Sequence, residues 1–197
     1  MNSFARDFPI VCVGGSVGGS AAYVELLRHL PPGTGAAIVV VNHIREASAT
    51  LHNILPHSTK LPVELITEGL PIQPNHVFIV PANCDLYLVG GMFRLTPMSK
   101  PKGWPDVITI FLRSLAQNWG GKLVAVIVSG LDSDGAKALR EIKEAGGITI
   151  AQAPDTAEWS DMPVSAIKTG YIDHTLPIED IARKIAQIAK EFPGKTT

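Results

Sequence analysis

Three polar side chains follow apolar runs in this sequence, and their types are those of nucleophilic acyl transfer. Ser16 lies in the glycine-rich stretch GGSVGGS, His43 in the stretch NHIRE, and either Asp132 or Asp134 supplies a carboxylate from the stretch SGLDSDG. A serine hydroxyl becomes a nucleophile when a histidine removes its proton and a carboxylate orients that histidine. The combination predicts serine hydrolase chemistry, provided that the fold brings the three residues together.

The glycine-rich stretch admits more than one interpretation. A dinucleotide-binding loop needs G-x-G-x-x-G and an acidic residue at the end of the next strand, whereas Ser16 replaces the second glycine and the next strand ends in Asn42. A P-loop is excluded, because no Lys-Ser or Lys-Thr pair closes the stretch. Residues 14–18 match G-x-S-x-G, the turn that exposes a serine between a strand and a helix. A turn whose glycines serve only tight packing is the alternative.

The elements that must position these residues alternate between strand and helix, which predicts an α/β fold. We expect a single doubly wound, mostly parallel sheet with helices on both faces and one antiparallel hairpin. Because sites in such sheets lie beyond the carboxyl ends of the strands, the three polar stretches should share one crevice. The predicted strands are 9–13, 36–44, 76–81, 122–130 and 148–152, the hairpin is 85–97, and the helices are 21–30, 106–119, 135–147, 163–170 and 178–192.

Composition restricts the class of protein. The 197 residues are 46% hydrophobic and 18% charged with a net charge of −1, which suits one well-packed domain and argues against nucleic acid as a partner. No apolar run is long enough for a membrane span, and the first residues do not form a signal peptide. Cys12 and Cys84 have neither metal-ligand spacing nor the pattern of a disulfide framework. We therefore expect a cytoplasmic enzyme or binding domain, with no membrane insertion.

These segments resemble the catalytic domain of the bacterial chemotaxis protein-glutamate methylesterases. The resemblance covers roughly residues 9–188 and is carried by GGSVGG, VVVNHI and VIVSGLDSDGAKAL, with weaker support from VFIVPANCDLYL, FLRSLA, TIAQ and DMPVSAIKTG. It implies the same α/β fold, with residues 1–197 as a single catalytic domain whose core spans about 9–192. An N-terminal phosphoacceptor domain is not expected in this chain, and neither a cofactor nor a metal is implied.

The resemblance also implies a role for each site residue. Ser16 is the expected nucleophile, His43 the base, and Asp134 the carboxylate that orients the imidazole. The implied reaction converts a glutamate γ-methyl ester into glutamate and methanol, and the same acyl transfer on glutamine releases ammonia. The expected partners are a methyl-accepting chemotaxis receptor, or a related sensory receptor, as substrate and a separate response regulator. The candidates for the oxyanion and substrate contacts are Gly15, Val17, Leu131 and Met162.

Four positions depart from the family pattern: Val17, Asn42, Leu131 and Asp132 stand where threonine, glutamine, methionine and glycine are usual. The added carboxylate of Asp132 would repel an acidic substrate or raise the pKa of a neighbouring acid, or it would only cap the following helix. Two other classes of function therefore stay open. One is a catalytically degenerate methylesterase-like domain for binding or signalling, and the other is an anion or nucleotide binder that uses the glycine loop.

Other side chains near these stretches have simpler interpretations. Trp104, Trp119 and Trp159 are expected to pack in the fold rather than to contact substrate. Arg45 is either a contact for an acidic substrate surface or a solvated loop residue. Asp134, too, has an alternative role as a helix cap.

Overall fold

The computed structural model describes residues 8–43, 47–100, 102 and 104–192. Strands and helices alternate along most of the chain, as predicted. The strands are β1 (Ile10–Gly15), β2 (Ala37–Asn42), β3 (Val63–Leu65), β4 (His76–Ile79), β5 (Cys84–Val89), β6 (Met92–Pro97), β7 (Leu123–Ile127), β8 (Ile148–Gln152) and β9 (His174–Leu176). The helices are α1 (Gly19–His29), α2 (Ala47–Ile54), α3 (Val107–Asn118), α4 (Leu139–Glu144), α5 (Asp161–Lys168) and α6 (Ile178–Glu191), with 3₁₀ turns at Leu55–His57, Ala136–Ala138 and Pro154–Thr156.

Seven parallel strands form the main sheet, in the order β3-β4-β2-β1-β7-β8-β9. Strand β1 is central, with Gly15 opposite Asn42 of β2 and Gly14 opposite Ile127 of β7. Strands β5 and β6 form a separate antiparallel hairpin. The predicted architecture is thereby confirmed, and the loops after β1, β2 and β7 emerge side by side at one edge of the sheet.

Both faces of the sheet are buried, which explains why its strands are apolar along their whole length. Ile10 and Cys12 of β1 contribute to the core beneath α3, α4, α5 and the hairpin. Val11 and Val13 contribute to the opposite core, beneath α1, α2 and α6. Consecutive side chains of a strand point to opposite faces, so β1 is held from both sides and its carboxyl end is a firm base for the turn that follows.

Several details differ from the sequence prediction, and α2 is not among the predicted helices given above. The edge strands β3 and β9 are only three residues long, and such short segments carry too little alternation to be recognised. The helix predicted from residue 135 begins as a 3₁₀ turn and is α-helical only over Leu139–Glu144, because Gly135 has φ +87° and fits between Ile108 and Ile127. No helix in the described parts of the chain has the length and apolarity that a bilayer crossing requires.

Candidate active site

Ser16 lies in the sharp turn between β1 and α1. Its backbone N–H donates to the carbonyl of Ser129 at 2.9 Å, and its carbonyl accepts from Gly19 N–H at 2.9 Å. The first bond ties the turn to the loop after β7, and the second closes the turn before α1 begins. Only 2% of the Ser16 surface is exposed, so the serine lies at the bottom of the site rather than on its rim.

The glycines on both sides of Ser16 are required by close contacts. A Cβ on Gly15 would lie 2.7 Å from Tyr23 Oη and 2.8 Å from Val128 Cγ2. Gly18 has φ +75°, and a Cβ there would lie 2.5 Å from Ser129 Oγ. Side chains at either position would displace the turn, so the glycine pattern is explained by packing and by the geometry that presents the serine.

His43 directly follows β2, and its backbone N–H donates to the carbonyl of Gly15 at 2.9 Å. This bond extends the pairing of β1 with β2 beyond the strands and brings His43 next to Ser16. Its imidazole is almost completely buried, with Nδ1 3.0 Å from Asp132 Oδ2 and Nε2 2.6 Å from the Pro105 carbonyl oxygen. The ring of Trp104 stacks over it, with the ring centroids 5.6 Å apart.

These partners define the protonation of the imidazole in this arrangement. A carbonyl oxygen only accepts hydrogen bonds, so Nε2 donates to Pro105, and Nδ1 donates to the Asp132 carboxylate. This pattern of partners is the one that stabilises the protonated ring, the imidazolium. Burial by itself lowers the pKa of His43, but the hydrogen bond and charge of Asp132, with smaller effects from Asp134 and the Pro105 carbonyl, raise that pKa above the ordinary value.

The two aspartates of the loop after β7 have different partners, and Asp134, the carboxylate expected to orient the imidazole, contacts other groups. Asp134 does not hydrogen-bond His43 in the structure. Its Oδ2 accepts from Ile108 N–H at 2.9 Å, and its Oδ1 accepts from Thr109 and Gly135 N–H at 2.9 and 2.8 Å. Three backbone donors therefore occupy this carboxylate, which acts on the imidazole only through its charge, whereas Asp132 makes the direct contact.

The pKa values of the two carboxyls are shifted in opposite directions. Burial raises the pKa of Asp134, although the N–H groups of Ile108 and Thr109 act against it. Burial also acts to raise the pKa of Asp132, but the bonds to His43 and to Asp134 N–H outweigh it, and the pKa of Asp132 is lowered. Asp132 is therefore the carboxyl better suited to face the imidazole as an anion.

Ser129, whose role the sequence analysis did not recognise, joins three parts of the site. Its hydroxyl donates to the carbonyl of Val17 at 3.0 Å and accepts from Trp159 N–H at 2.9 Å. Its own N–H donates to Gln152 Oε1 at 3.0 Å. This residue connects the serine turn to the segment that leads into α5, and its position at the end of a buried strand was the only signal for it in the sequence.

A sequence model of the family described as CheB methylesterase matches residues 11–185 of the chain. The chain belongs to the CheB methylesterase family. The resemblance seen in the sequence is thereby confirmed, and the relatives below extend it.

Two named relatives support this assignment. The chain is 33% identical over 187 residues to a protein-glutamate methylesterase/protein-glutamine glutaminase of Anaeromyxobacter dehalogenans, which covers 94% of the chain and 55% of that protein. It is 32% identical to a protein of the same description from Pseudomonas aeruginosa, over 91% of the chain and 54% of the relative. The chain thus spans about half the length of these curated relatives.

A solved structure shows the same fold. The crystal structure of the Thermotoga maritima CheB methylesterase catalytic domain superposes with a TM-score of 0.84 at 30% identity. The match covers 91% of this chain and 97% of that one. The part of the family that this chain represents is therefore the catalytic domain fold.

The four candidates for oxyanion and substrate contacts in this CheB methylesterase-type site differ in their surroundings, and Leu131 is described with the exposed residues below. Gly15 lies within β1 and serves packing, as described above. Among the described residues, the Val17 N–H has no hydrogen-bond acceptor, which leaves it available beside Ser16. Met162 is buried at the start of α5, and its Sδ occupies the space that a Cβ on Gly130 would need, next to the Cβ of Ser16.

Three large apolar side chains surround the site and remain exposed. Trp104, Leu131 and Trp159 are 66%, 37% and 42% exposed. Trp104 stacks on His43, Leu131 follows the glycine next to Ser16, and Trp159 is joined to the site through Ser129. The expectation that the tryptophans pack in the fold is correct for Trp119, which is buried against Phe8, and wrong for the other two.

Within the described residues, the group of potential metal ligands lies away from this site. One atom each of Glu25, His29 and Glu179 falls within 4.8 Å of the others. His29 ends α1, whereas Ser16 precedes its first turn, and His29 Nδ1 already lies 2.9 Å from the Glu25 carbonyl. We assign no metal to this group. Arg45, a candidate contact for substrate, lies outside the described residues.

Proposed function

We propose that this domain is a serine hydrolase that removes methyl groups from glutamate γ-methyl esters of a chemoreceptor-type protein. The observation that carries the proposal is the position of Ser16 and His43 at the carboxyl ends of the adjacent strands β1 and β2. Their backbones are linked by the bond from His43 N–H to the Gly15 carbonyl. The names of the relatives, protein-glutamate methylesterase/protein-glutamine glutaminase, support the substrate class.

The proposed reaction begins with acylation of Ser16. His43 Nε2 takes the hydroxyl proton as Ser16 Oγ attacks the ester carbonyl, and a bond forms between Oγ and the carbonyl carbon. The negative charge that develops on the carbonyl oxygen is met by the Val17 N–H at the start of the turn. The imidazolium then gives its proton to the departing methoxy oxygen, so methanol leaves and an acyl-serine remains.

Hydrolysis of the acyl-serine restores the enzyme. His43 takes a proton from water, the hydroxide attacks the acyl carbon, and the bond to Ser16 Oγ breaks as Oγ regains a proton from His43. The product is a free glutamate side chain. A glutamine side chain would follow the same route, with ammonia as the leaving group in place of methanol.

The resting arrangement adds one step before this chemistry. His43 Nε2 donates to the Pro105 carbonyl, so it cannot accept the Ser16 proton in that state. The imidazolium must lose a proton, and Nε2 must leave Pro105 and turn to Ser16. Apo geometry of this kind does not exclude a catalytic base, since catalytic hydrogen bonds often form only with substrate present. It is also the observation that favours the second candidate, a catalytically degenerate binding domain.

The exposed side chains around the site suit a protein substrate. Trp104 stacks on His43, Leu131 follows the glycine beside Ser16, and Trp159 is bonded to Ser129. We call these three exposed residues the apolar rim, and exposed apolar residues around a site are typical of binding surfaces. We assign this rim to contacts with the receptor segment that carries the modified glutamate. A separate response regulator as partner stays a proposal that rests on the family alone.

A fluorophosphonate probe tests the proposal, because it reacts with activated serines. We expect the probe to modify Ser16, as located by mass spectrometry, and we expect Ser16→Ala to abolish the reaction. His43→Ala should slow it by about 10³-fold or more. Ser133→Ala, which changes an exposed serine of the neighbouring loop, should leave the rate unchanged.

A methylated receptor peptide provides the second measurement. Methanol release that depends on Ser16 supports the esterase, and loss of modification at Ser16 together with absent methanol release supports the degenerate binding domain. Tight nucleotide binding that is indifferent to His43→Ala would instead indicate the anion or nucleotide binder.

A further inference from the structure

Two carboxylates approach a single imidazole in this site, but their surroundings differ. Asp134 is 5% exposed, whereas the side chain of Asp132 is 21% exposed. An ionised carboxylate is easier to maintain where water still reaches it than where it is fully buried. Burial therefore favours Asp132 as the permanent anion beside His43.

The partners of Asp134 are those of a helix cap. Its oxygens accept from the N–H groups of Ile108 and Thr109, the second and third residues of α3, whose donors have no partner within the helix. Asp106, at the N-cap position of α3, makes no capping bond of its own, and its side chain pairs with Lys100 instead. Asp134 thus supplies from a distant loop the cap that α3 lacks locally.

Asp132 is oriented towards His43 by its own loop. Its Oδ1 accepts from Asp134 N–H at 2.7 Å, which fixes the carboxylate plane. Its Oδ2 then lies 3.0 Å from His43 Nδ1. A carboxylate held at one oxygen and bonded to the imidazole through the other has the geometry of the group that orients a catalytic histidine.

We propose that Asp132, not Asp134, is the positioning residue that holds the His43 imidazole, and that Asp134 caps the first turn of α3, which directly follows the segment that contacts the same imidazole. The inference rests on the proposed hydrolase function of the site. It assigns to this chain a charge at a position where the family pattern has glycine, and it gives the aspartate of the family motif a structural task. The Trp104 ring and the Pro105 carbonyl, both in the segment before α3, complete the surroundings of the imidazole.

The test compares Asp132→Asn, Asp132→Gly and Asp134→Asn with Asp155→Asn as control. Asp155 is an exposed aspartate of the 3₁₀ turn after β8, so its change is chemically the same but lies outside the site. The measurements are the rate of Ser16 modification by a fluorophosphonate as a function of pH, the NMR titration of the His43 ring, and thermal unfolding.

We expect both Asp132 variants to slow the modification by about 10²-fold or more. They should also move the pH midpoint and the His43 titration to lower pH, because the imidazolium loses its hydrogen-bonded anion. Asp134→Asn should lower the melting temperature and shift the titration less, since Asp134 acts on the ring through its charge alone. Asp155→Asn should change none of these quantities.

The inference is overturned if Asp134→Asn moves the His43 titration as far as Asp132→Asn or farther, or if Asp132→Asn leaves that titration unchanged. Should Asp134→Asn fail to fold, Asp132→Asn compared with wild type and Asp155→Asn decides the matter alone. Failure of the proposed function is a separate result, seen when wild-type protein is not modified at Ser16. The NMR titration would still show which aspartate holds the imidazole.

Discussion

Two glycine-containing loops build the site, and they are specified in different ways. In the turn after β1, residues 16–18, the close contacts of Gly18 leave no space for a side chain, and the backbone of Ser16 is hydrogen-bonded on both sides. The loop after β7, residues 129–135, is held by hydrogen bonds of its polar side chains, those of Ser129, Asp132 and Asp134. The first loop can be recognised from a sequence motif, whereas the hydrogen-bond partners in the second loop are known only from the structure.

The turn after β1 leaves no room for variation. Gly18 combines a left-handed backbone with contacts closer than a side chain allows, and the buried Ser129 hydroxyl lies where its Cβ would be. The motif predicts the turn between β1 and α1 that holds Ser16, although the serine is buried there rather than exposed. In the loop after β7, by contrast, Asp132 and Asp134 are two residues apart and either could have faced the imidazole.

Replacing Gly18 by alanine tests the turn after β1 and should cause the largest loss of stability among the variants considered. The left-handed conformation and the contacts with Ser129 and Glu158 should together cost about 2–5 kcal/mol of stability. Urea unfolding measures the change. Gly120→Ala is the matched control, since a Cβ at Gly120 meets nothing within 4 Å and its φ is not positive. Equal stability of the two variants would show that the turn is not constrained by packing.

Replacing Ser129 by alanine breaks the connection between the two loops. The change removes the donor to the Val17 carbonyl and the acceptor of Trp159 N–H, and it leaves both groups without that partner. Unpaired buried groups of this kind cost about 1–3 kcal/mol. Urea unfolding should show the loss, and the rate of Ser16 modification should fall with it. An unfolding free energy equal to that of Ser133→Ala would contradict the connection.

The sequence predicts the part of the site that depends on strand order and turn motifs. Ser16 and His43 follow apolar runs that become adjacent strands, so their juxtaposition could be inferred from the α/β pattern. Which of Asp132 and Asp134 contacts the imidazole could not be inferred, because the capping bond from Ile108 to Asp134 depends on how α3 packs across the sheet. The sequence allowed either Asp132 or Asp134 to supply the carboxylate, and the departure from the family pattern at position 132 was the available signal for the first of them.

The pH dependence of stability tests the contact between Asp132, in the loop after β7, and His43. The raised pKa of His43 gives stability that is complete below the ordinary histidine pKa and is lost as pH rises through the folded value. The lowered pKa of Asp132 gives stability that is present above the ordinary aspartate pKa and is lost as pH falls. Between the ordinary pKa values of aspartate and histidine, the free energy of unfolding of the wild type should therefore exceed that of Asp132→Asn by about 1 kcal/mol. Urea unfolding from pH 3 to 9 measures this difference, and one that does not vary with pH would contradict it.

The smallest expected effect concerns Trp104, which belongs to neither loop but covers the imidazole. Its ring stacks on His43 while 66% of the residue is exposed. A cation over an aromatic face at an exposed site gains about 0.5–1 kcal/mol. Trp104→Ala should therefore lower the NMR titration midpoint of His43 by roughly half a pH unit.

Two further variants show whether the shift of the His43 midpoint comes from stacking of the Trp104 ring or from greater exposure of the site to water. Trp104→Phe keeps an aromatic face over the imidazole, so its His43 titration midpoint should lie close to that of the wild type. Trp159→Ala removes an equally large exposed ring that is joined to the site through its backbone, and it should leave the His43 titration unchanged. If Trp159→Ala moved the midpoint as far as Trp104→Ala, exposure of the whole rim to water would explain the shift. The imidazolium would then be held by Asp132 and Pro105 without help from the ring above it.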